Sequence, residues 1–224
     1  MQAFFDVKQR TARAVRLLFL TTLISAAPAV IYAQEDSQNE PEQITEPDLA
    51  LADVPRQNLS GMEWLERLAQ INRTSNFEVS FVLTRAGQEM TPYLWRHAVL
   101  EDGLEAEQLN LQNGPGQEMI RLGNVVSVFE PDVQPYSIYA SAISGPLPSD
   151  LLYNPTALTD AYQFITIGRT RVSGRAAQQL RIVSRDNKRY NYQVWLDEET
   201  GMLLKLDMVD LQGSLLEQIQ VTAV

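Results

Sequence analysis

The stretch YNYQVWLDEETGMLLKLDM, residues 190–208, decides how this chain reads. Tyr190, Tyr192, Val194 and Leu196 recur at every second position, and Met202, Leu204, Leu206 and Met208 do so again after a short interruption. A period of two puts alternate side chains on one face of a strand, so two strands are expected, joined by residues 197–201. That joint holds three adjacent carboxylates, Asp197, Glu198 and Glu199, then Thr200 and Gly201. Asp, Thr and Gly suit turns for backbone reasons, and a solvated turn has no burial to raise a carboxylate pKa. The acids are therefore expected to form a turn and not the acid pair of a glycosidase.

The same alternation recurs upstream. Phe77, Val79, Phe81 and Leu83 alternate with Glu78, Ser80, Val82 and Thr84, and a turn at 86–88 leads into 90–99, where Pro92 marks an edge or a bulge. Turn signals at 101–103, 113–116, 123–124, 172–174, 185–187, 199–201 and 211–213 separate further segments of strand length. One helix reads clearly: Ser60 and Glu63 make an S-x-x-E capping box, and Trp64, Leu65, Leu68 and Ile71 share a face that ends near Arg73. Residues 141–162 contain three prolines and a short helical candidate at 157–161, a loop-plus-helix excursion across the sheet. The fold class is mainly β (α+β): one curved, unclosed antiparallel sheet with helical pieces over its open face.

Ahead of this domain stand two segments of different character. Lys8, Arg10, Arg13 and Arg16 precede a short apolar run from Leu17, and Ala33 ends a signal peptide expected over 1–33. Residues 34–57 carry seven acids, three prolines and one Arg, a disordered acidic leader. The domain then occupies 58–224. Loss of the signal removes four bases and one acid, which takes the formal net charge from −10 to −13. The chain has no Cys, so disulfides, thiolate metal sites and cysteine nucleophiles are excluded, and stability must come from a buried core.

Chemistry-bearing motifs are scarce. The single histidine, His97, lies mid-strand with no G-x-S-x-G or H-x-x-x-H beside it and reads as a half-buried strand residue. The glycine-rich 113–116 precedes a strand and not a helix N-terminus, so it lacks phosphate-binding geometry. No enzyme, metal site or cofactor is expected. Charge is uneven, however: Arg169, Arg171, Arg175, Arg181, Arg185, Lys188 and Arg189 face the lone acid Asp186 within 169–189. Strand pairing there allows either a cluster for carboxylates or phosphates or a salt-bridged solvated face. Nucleic acid does not suit an exported acidic chain.

The stretches FEP (129–131), GRTRV (168–172) and RIVSRDNKRYNYQVWLDEETG (181–201), with WRHA (95–98) and GPLPS (145–149), resemble the periplasmic sigma-E regulatory family RseB/MucB over residues 58–224. The resemblance implies an unclosed antiparallel half-barrel of the LolA/LppX type. It also implies a negative regulator that binds the periplasmic domain of an RseA/MucA-type anti-sigma factor and shields it from the site-1 protease. Lipopolysaccharide or acyl chains would release it. The alternative is a stand-alone periplasmic lipid or lipoprotein carrier of the LolA type. The family's smaller C-terminal domain has no counterpart here, and self-association is left open. On this reading Trp64, Phe77, Phe81, Leu204 and Leu206 are the lipid-cavity candidates, chosen by one-face alternation. Arg169, Arg171, Arg185 and Arg189 are the candidates for an anionic ligand or partner.

Overall fold

The computed structural model describes residues 56–224 apart from residue 102. The segment read as a signal peptide, and all but the last two residues of the acidic stretch, lie outside the described residues.

Helix α1 (Gly61–Thr74) begins where the capping box puts it: Ser60 N–H donates to Glu63 Oε2 at 2.7 Å and Glu63 N–H to Ser60 Oγ at 3.3 Å. These bonds satisfy two of the donors that a helix start leaves open. Its buried stripe is Trp64, Leu65, Leu68 and Ala69, at most 1% exposed. The three larger side chains each contribute about 1.5–3 kcal/mol by burial.

Strands follow in antiparallel succession: β1 (Phe77–Arg85), β2 (Thr91–Val99), β3 (Glu105–Leu111), β4 (Glu118–Leu122), β5 (Val125–Phe129) and β6 (Tyr136–Tyr139). After α2 (Ser149–Tyr153) and a 3-10 turn (Pro155–Leu158) come β7 (Tyr162–Val172), β8 (Arg175–Ser184), β9 (Asn191–Asp197), β10 (Leu203–Val209) and β11 (Leu215–Ala223). All belong to one eleven-stranded sheet in the order β6-β5-β4-β3-β2-β1-β11-β10-β9-β8-β7. The two halves of the sheet meet where β1 pairs with β11, and among the described residues β6 and β7 are left as the open edges.

Flat, such a sheet would span roughly 48 Å across its strands, while a helix is only about 10 Å wide. Yet one continuous core joins Trp64, Leu65 and Leu68 of α1 to Phe81, Trp95, Leu109, Val128, Ile182, Val194, Leu206 and Ile219 from both halves of the sheet. The sheet must therefore curl around α1. At its far side the β7–β8 tip reaches β11, where Ser173 Oγ donates to Val221 O at 3.0 Å. The expected unclosed antiparallel architecture is the one observed.

Three expectations need correction. Pro92 marks neither an edge nor a bulge, since β2 pairs regularly with β1 and β3. Its carbonyl accepts from Gln112 N–H at 2.9 Å, on the side of β3 but one residue past that strand's end. The N–H that proline lacks would point the same way, so the missing bond falls at the very end of the β2–β3 ladder. The helical piece of the 141–162 excursion is α2 at 149–153, with the 3-10 turn over 155–158, and not 157–161. Pro148 and Pro155 set those starts, because proline is tolerated at the beginning of a helical turn and not within it.

The third concerns β10. The register with β9 slips between Leu203 and Lys205, so Leu203 and Leu206 enter the main core while Leu204 packs on the opposite face with Trp195, Val172 and Ala177. Leu204 and Leu206 therefore do not share a face. A bulge adds one residue to one strand, which breaks the period of two on which that expectation rested.

Candidate functional site: the strapped concave face

Residues 140–161 join the two open edges and cross the concave side of the sheet as a strap. Ile143, Leu151 and Leu152 sink into the core. Helix α1 holds the strap from one side: Asn72 Nδ2 donates to Leu152 O at 3.0 Å and an Arg73 guanidinium N–H to Tyr153 O at 2.6 Å. Gly145 lies so close to β3 that an added Cβ would sit 2.6 Å from Leu109 Cδ2.

Beneath the strap is a buried polar cluster. Glu107 accepts Trp95 Nε1–H and Tyr153 OH on Oε1, both at 2.8 Å, and Arg121 Nε on Oε2 at 2.9 Å. Arg121 spends its other donors on Glu105 Oε2 and Gly123 O, each at 3.0 Å. The Arg121 and Glu107 side chains are only 4% and 5% exposed, so each charge depends on the other. Burial first, and then the Glu107 charge, push the Tyr153 hydroxyl well up from its ordinary value and keep it a donor to Glu107. No sequence motif marks this cluster. The legible signal was an acid and an Arg at matching inward positions of adjacent strands, Glu107 opposite Arg121.

On either side of the strap lies a half-open cavity. One, of about 410 Å³, is lined by Leu147, Leu151, Leu158, Ile182, Tyr162 and Tyr192, with Arg189 and Asp150 at its wall. The other, of about 380 Å³, lies between the strap and β4–β6 and is lined by Tyr93, Met119, Val126, Val128, Tyr136 and Ile138. Ser144 and Gly145 of the strap border both.

The candidates named from sequence fall as follows. Trp64, Phe81 and Leu206 are 0%, 1% and 3% exposed within the packed core, Phe77 packs against that core half-buried, and Leu204 is on the other face. None of the five borders either cavity beside the strap, and Phe77 alone borders a third, more open one of about 620 Å³ with His97, Ala98 and Ile120. The four arginines do not converge. Arg169 lies on β7 against Glu198, with Nε to Oε2 at 2.8 Å, and Arg171 is two residues further along that strand. Arg185 is at the opposite end of the β7–β8 pair and donates to Thr159 O and Tyr162 O at 3.1 and 3.0 Å. Arg189 follows in the next turn, paired with Asp186. The register sets Arg169 opposite Gln178 and Tyr162 opposite Ser184, so the two pairs of arginines stand roughly 20 Å apart along the strands.

Two of the three acids of the 197–201 turn, Asp197 and Glu198, are buried at 1% exposed each, while the Glu199 side chain stays in solvent at 79%. Asp197 Oδ1 accepts the Glu199 and Thr200 amides at 2.9 and 2.8 Å, and Oδ2 accepts Arg175 Nε. Burial pushes the Asp197 pKa up, but the Arg175 guanidinium and the Thr200 amide outweigh it and hold the carboxyl below its ordinary value. The turn docks on α1 and the segment before it: Arg67 of α1 donates to Glu199 O at 2.6 Å and Gln57 Nε2 to Glu198 O at 2.7 Å. Glu198 and Asp197 are thus engaged by Arg169 and Arg175 and work as a clasp. His97, 2% exposed, is fully buried: Nδ1 meets Ser75 O at 2.8 Å and the ring stacks on Phe77. Among the described residues no group of three His, Asp or Glu side chains is placed to hold a metal ion.

Residues 60–224 match the family described as the MucB/RseB N-terminal domain. The chain belongs to this family. It is 38% identical over 160 residues to the sigma-E factor regulatory protein RseB of Salmonella typhimurium, covering 71% of this chain and 49% of that protein. To the sigma factor AlgU regulatory protein MucB of Pseudomonas aeruginosa it is 32% identical over 169 residues, with the same coverage of each. Among solved structures it is similar to MucB in a Pseudomonas aeruginosa MucA/MucB complex, at 29% identity and a TM-score of 0.58, covering 72% of this chain and 55% of that one. The chain spans about half the length of the relatives it matches.

Proposed function

We propose that this chain is the sensing and partner-binding part of a periplasmic, non-enzymatic regulator of an envelope-stress sigma factor. It binds the periplasmic domain of an RseA/MucA-type anti-sigma factor and shields that domain from the site-1 protease. Lipopolysaccharide, or another amphiphile with acyl chains, lifts the block. Support for the partner comes from the family match and from likeness to MucB in its complex with MucA(peri). The observation that carries the lipid half is the pair of cavities astride the strap, each walled by large apolar side chains on the concave face.

The two ligands are linked thermodynamically. If amphiphile favours the partner-free form, bound partner weakens amphiphile by the same factor, and about 1–3 kcal/mol of coupling is enough for a switch. The test is protection of the anti-sigma periplasmic domain from its protease by residues 34–224, with and without lipopolysaccharide. Protection that lipopolysaccharide relieves supports the reading. Absence of both binding and protection overturns it for this chain.

The same cavities favour a second reading, a carrier of lipid or lipoprotein. A carrier passes cargo to an acceptor, so extraction of lipoprotein from membranes without protection of the anti-sigma domain would select it.

A further inference from the structure

We propose that the free edge of β6 is a docking edge that an extended segment of the anti-sigma factor's periplasmic domain joins as a twelfth strand. This rests on the partner proposed above and adds where and how it is held.

The backbone sets the kind of occupant. Ala140 N–H donates to Asn124 O at 3.0 Å, and β5 pairs Val126 with Ile138 and Val128 with Tyr136. Peptide groups alternate sides along a strand, so Tyr136, Ile138 and Ala140 turn theirs toward β5, and Ser137 and Tyr139 turn theirs outward. Among the described residues no strand lies beyond β6. A row of outward N–H and C=O groups at strand spacing is matched by another extended backbone.

The two open edges differ. β7 carries Arg169 and Arg171 and a register break between Thr166 and Gly168, both of which discourage a further strand. β6 is regular, uncharged and without proline, and all four of its residues are exposed, with Tyr139 at 92%.

Side chains set the character of the segment. On the concave side Tyr136 and Ile138 border the 380 Å³ cavity, whose floor of Met119, Val126 and Val128 takes apolar side chains from an added strand. On the convex side Tyr139 lies beside Val125, which pairs with Leu122, and all three are exposed. Both faces of the added strand are thus met by apolar surface, which suits a short, mainly apolar run. Charge separates a foreign segment from a second copy of this chain. Glu130 borders the cavity beside β6 and Asp132 stands in the turn before that strand, with no Lys or Arg between Leu122 and Gly168, and the Arg85 that also borders the cavity is paired with Glu217. A second β6 would bring the same acids, whereas a segment flanked by Lys or Arg complements them.

The test compares binding of the cognate anti-sigma periplasmic domain to the wild-type chain, to Ser137→Pro and to Tyr139→Lys. Proline at 137 removes an outward N–H and leaves the β5 ladder intact, the setting in which edge strands accept proline. Lysine at the 92% exposed position 139 puts a charge on the edge without touching the core. Each variant is expected to bind at least about tenfold more weakly with an unchanged thermal midpoint. In the wild-type complex the amides of Ser137 and Tyr139 gain protection from hydrogen exchange. Wild-type affinity in Tyr139→Lys, or no gain of protection at those two amides, overturns this inference while the partner reading stands. No binding by the wild-type chain overturns both.

Discussion

At the scale of single residues, the buried charges decide more than the exposed ones. Glu107 and Arg121 are each nearly sealed from solvent and satisfied by each other, Trp95, Tyr153 and Glu105. Glu107→Leu leaves the Arg121 guanidinium with Glu105 as its remaining acid and takes the acceptor from Trp95 and Tyr153, and is expected to cost about 1–3 kcal/mol in a urea titration, whereas Glu107→Leu with Arg121→Met recovers part of that loss. A double variant no more stable than the single one would refute the pairing as the cause. Asp197 supplies a pH dependence of definite sign. Its folded pKa lies below the ordinary 3.8, so its contribution is complete above the unfolded value and is lost as pH falls through the folded one. Asp197→Asn is therefore expected to flatten the fall of the urea midpoint between about pH 5 and about pH 2. Parallel curves for the two proteins would assign the acid sensitivity to other carboxylates. That Asp197 and Glu198 are buried was not legible in 190–208, because groups that pack on the turn, Arg67 and Gln57, lie more than a hundred residues away.

At the scale of elements, two glycines mark contacts that admit no side chain. Gly145 brings the strap against Leu109, itself 3% exposed and unable to yield freely. Gly145→Ala should lower stability by about 1–3 kcal/mol and speed hydrogen exchange across 143–153. Unchanged exchange there would mean that the strap yields without lifting from the sheet. Gly201 adopts φ +82°, and its Cβ would meet Arg67 Nε and Ile71 Cδ1 at 2.8 Å. Gly201→Ala is expected to cost more than about 1 kcal/mol by calorimetry. The turn chemistry around Gly201 was readable from sequence, as were the α1 capping box and the alternation of β1. The bulge in β10 was not, since one inserted residue changes facing without changing composition, and it sent Leu204 to the wrong face.

For the whole molecule, the curl of the sheet turns eleven modest strands into a single concave surface that α1 fills and the strap divides. If the anti-sigma domain and amphiphile proposed above compete through this surface, they obey reciprocity. A saturating anti-sigma domain is expected to weaken binding of a fluorescent acyl probe by about 5–150-fold, and saturating probe to weaken the anti-sigma domain by the same factor. Unequal factors would show that the two do not act through one pair of states. The two cavities that border the strap lie away from Trp64, Phe81 and Leu206, which close the core.

By itself the sequence determined the local grammar: a capped amphipathic helix, strands of period two, the turns between them, and a family signature in several separate motifs. These are legible because they depend on neighbours within a few residues. Tertiary structure alone decided which charges are buried, that the arginines of 169–189 part to opposite ends of a hairpin, and where the concavity is left open. Those outcomes depend on register, bulges and the curl of the sheet, which bring together residues that the chain holds far apart.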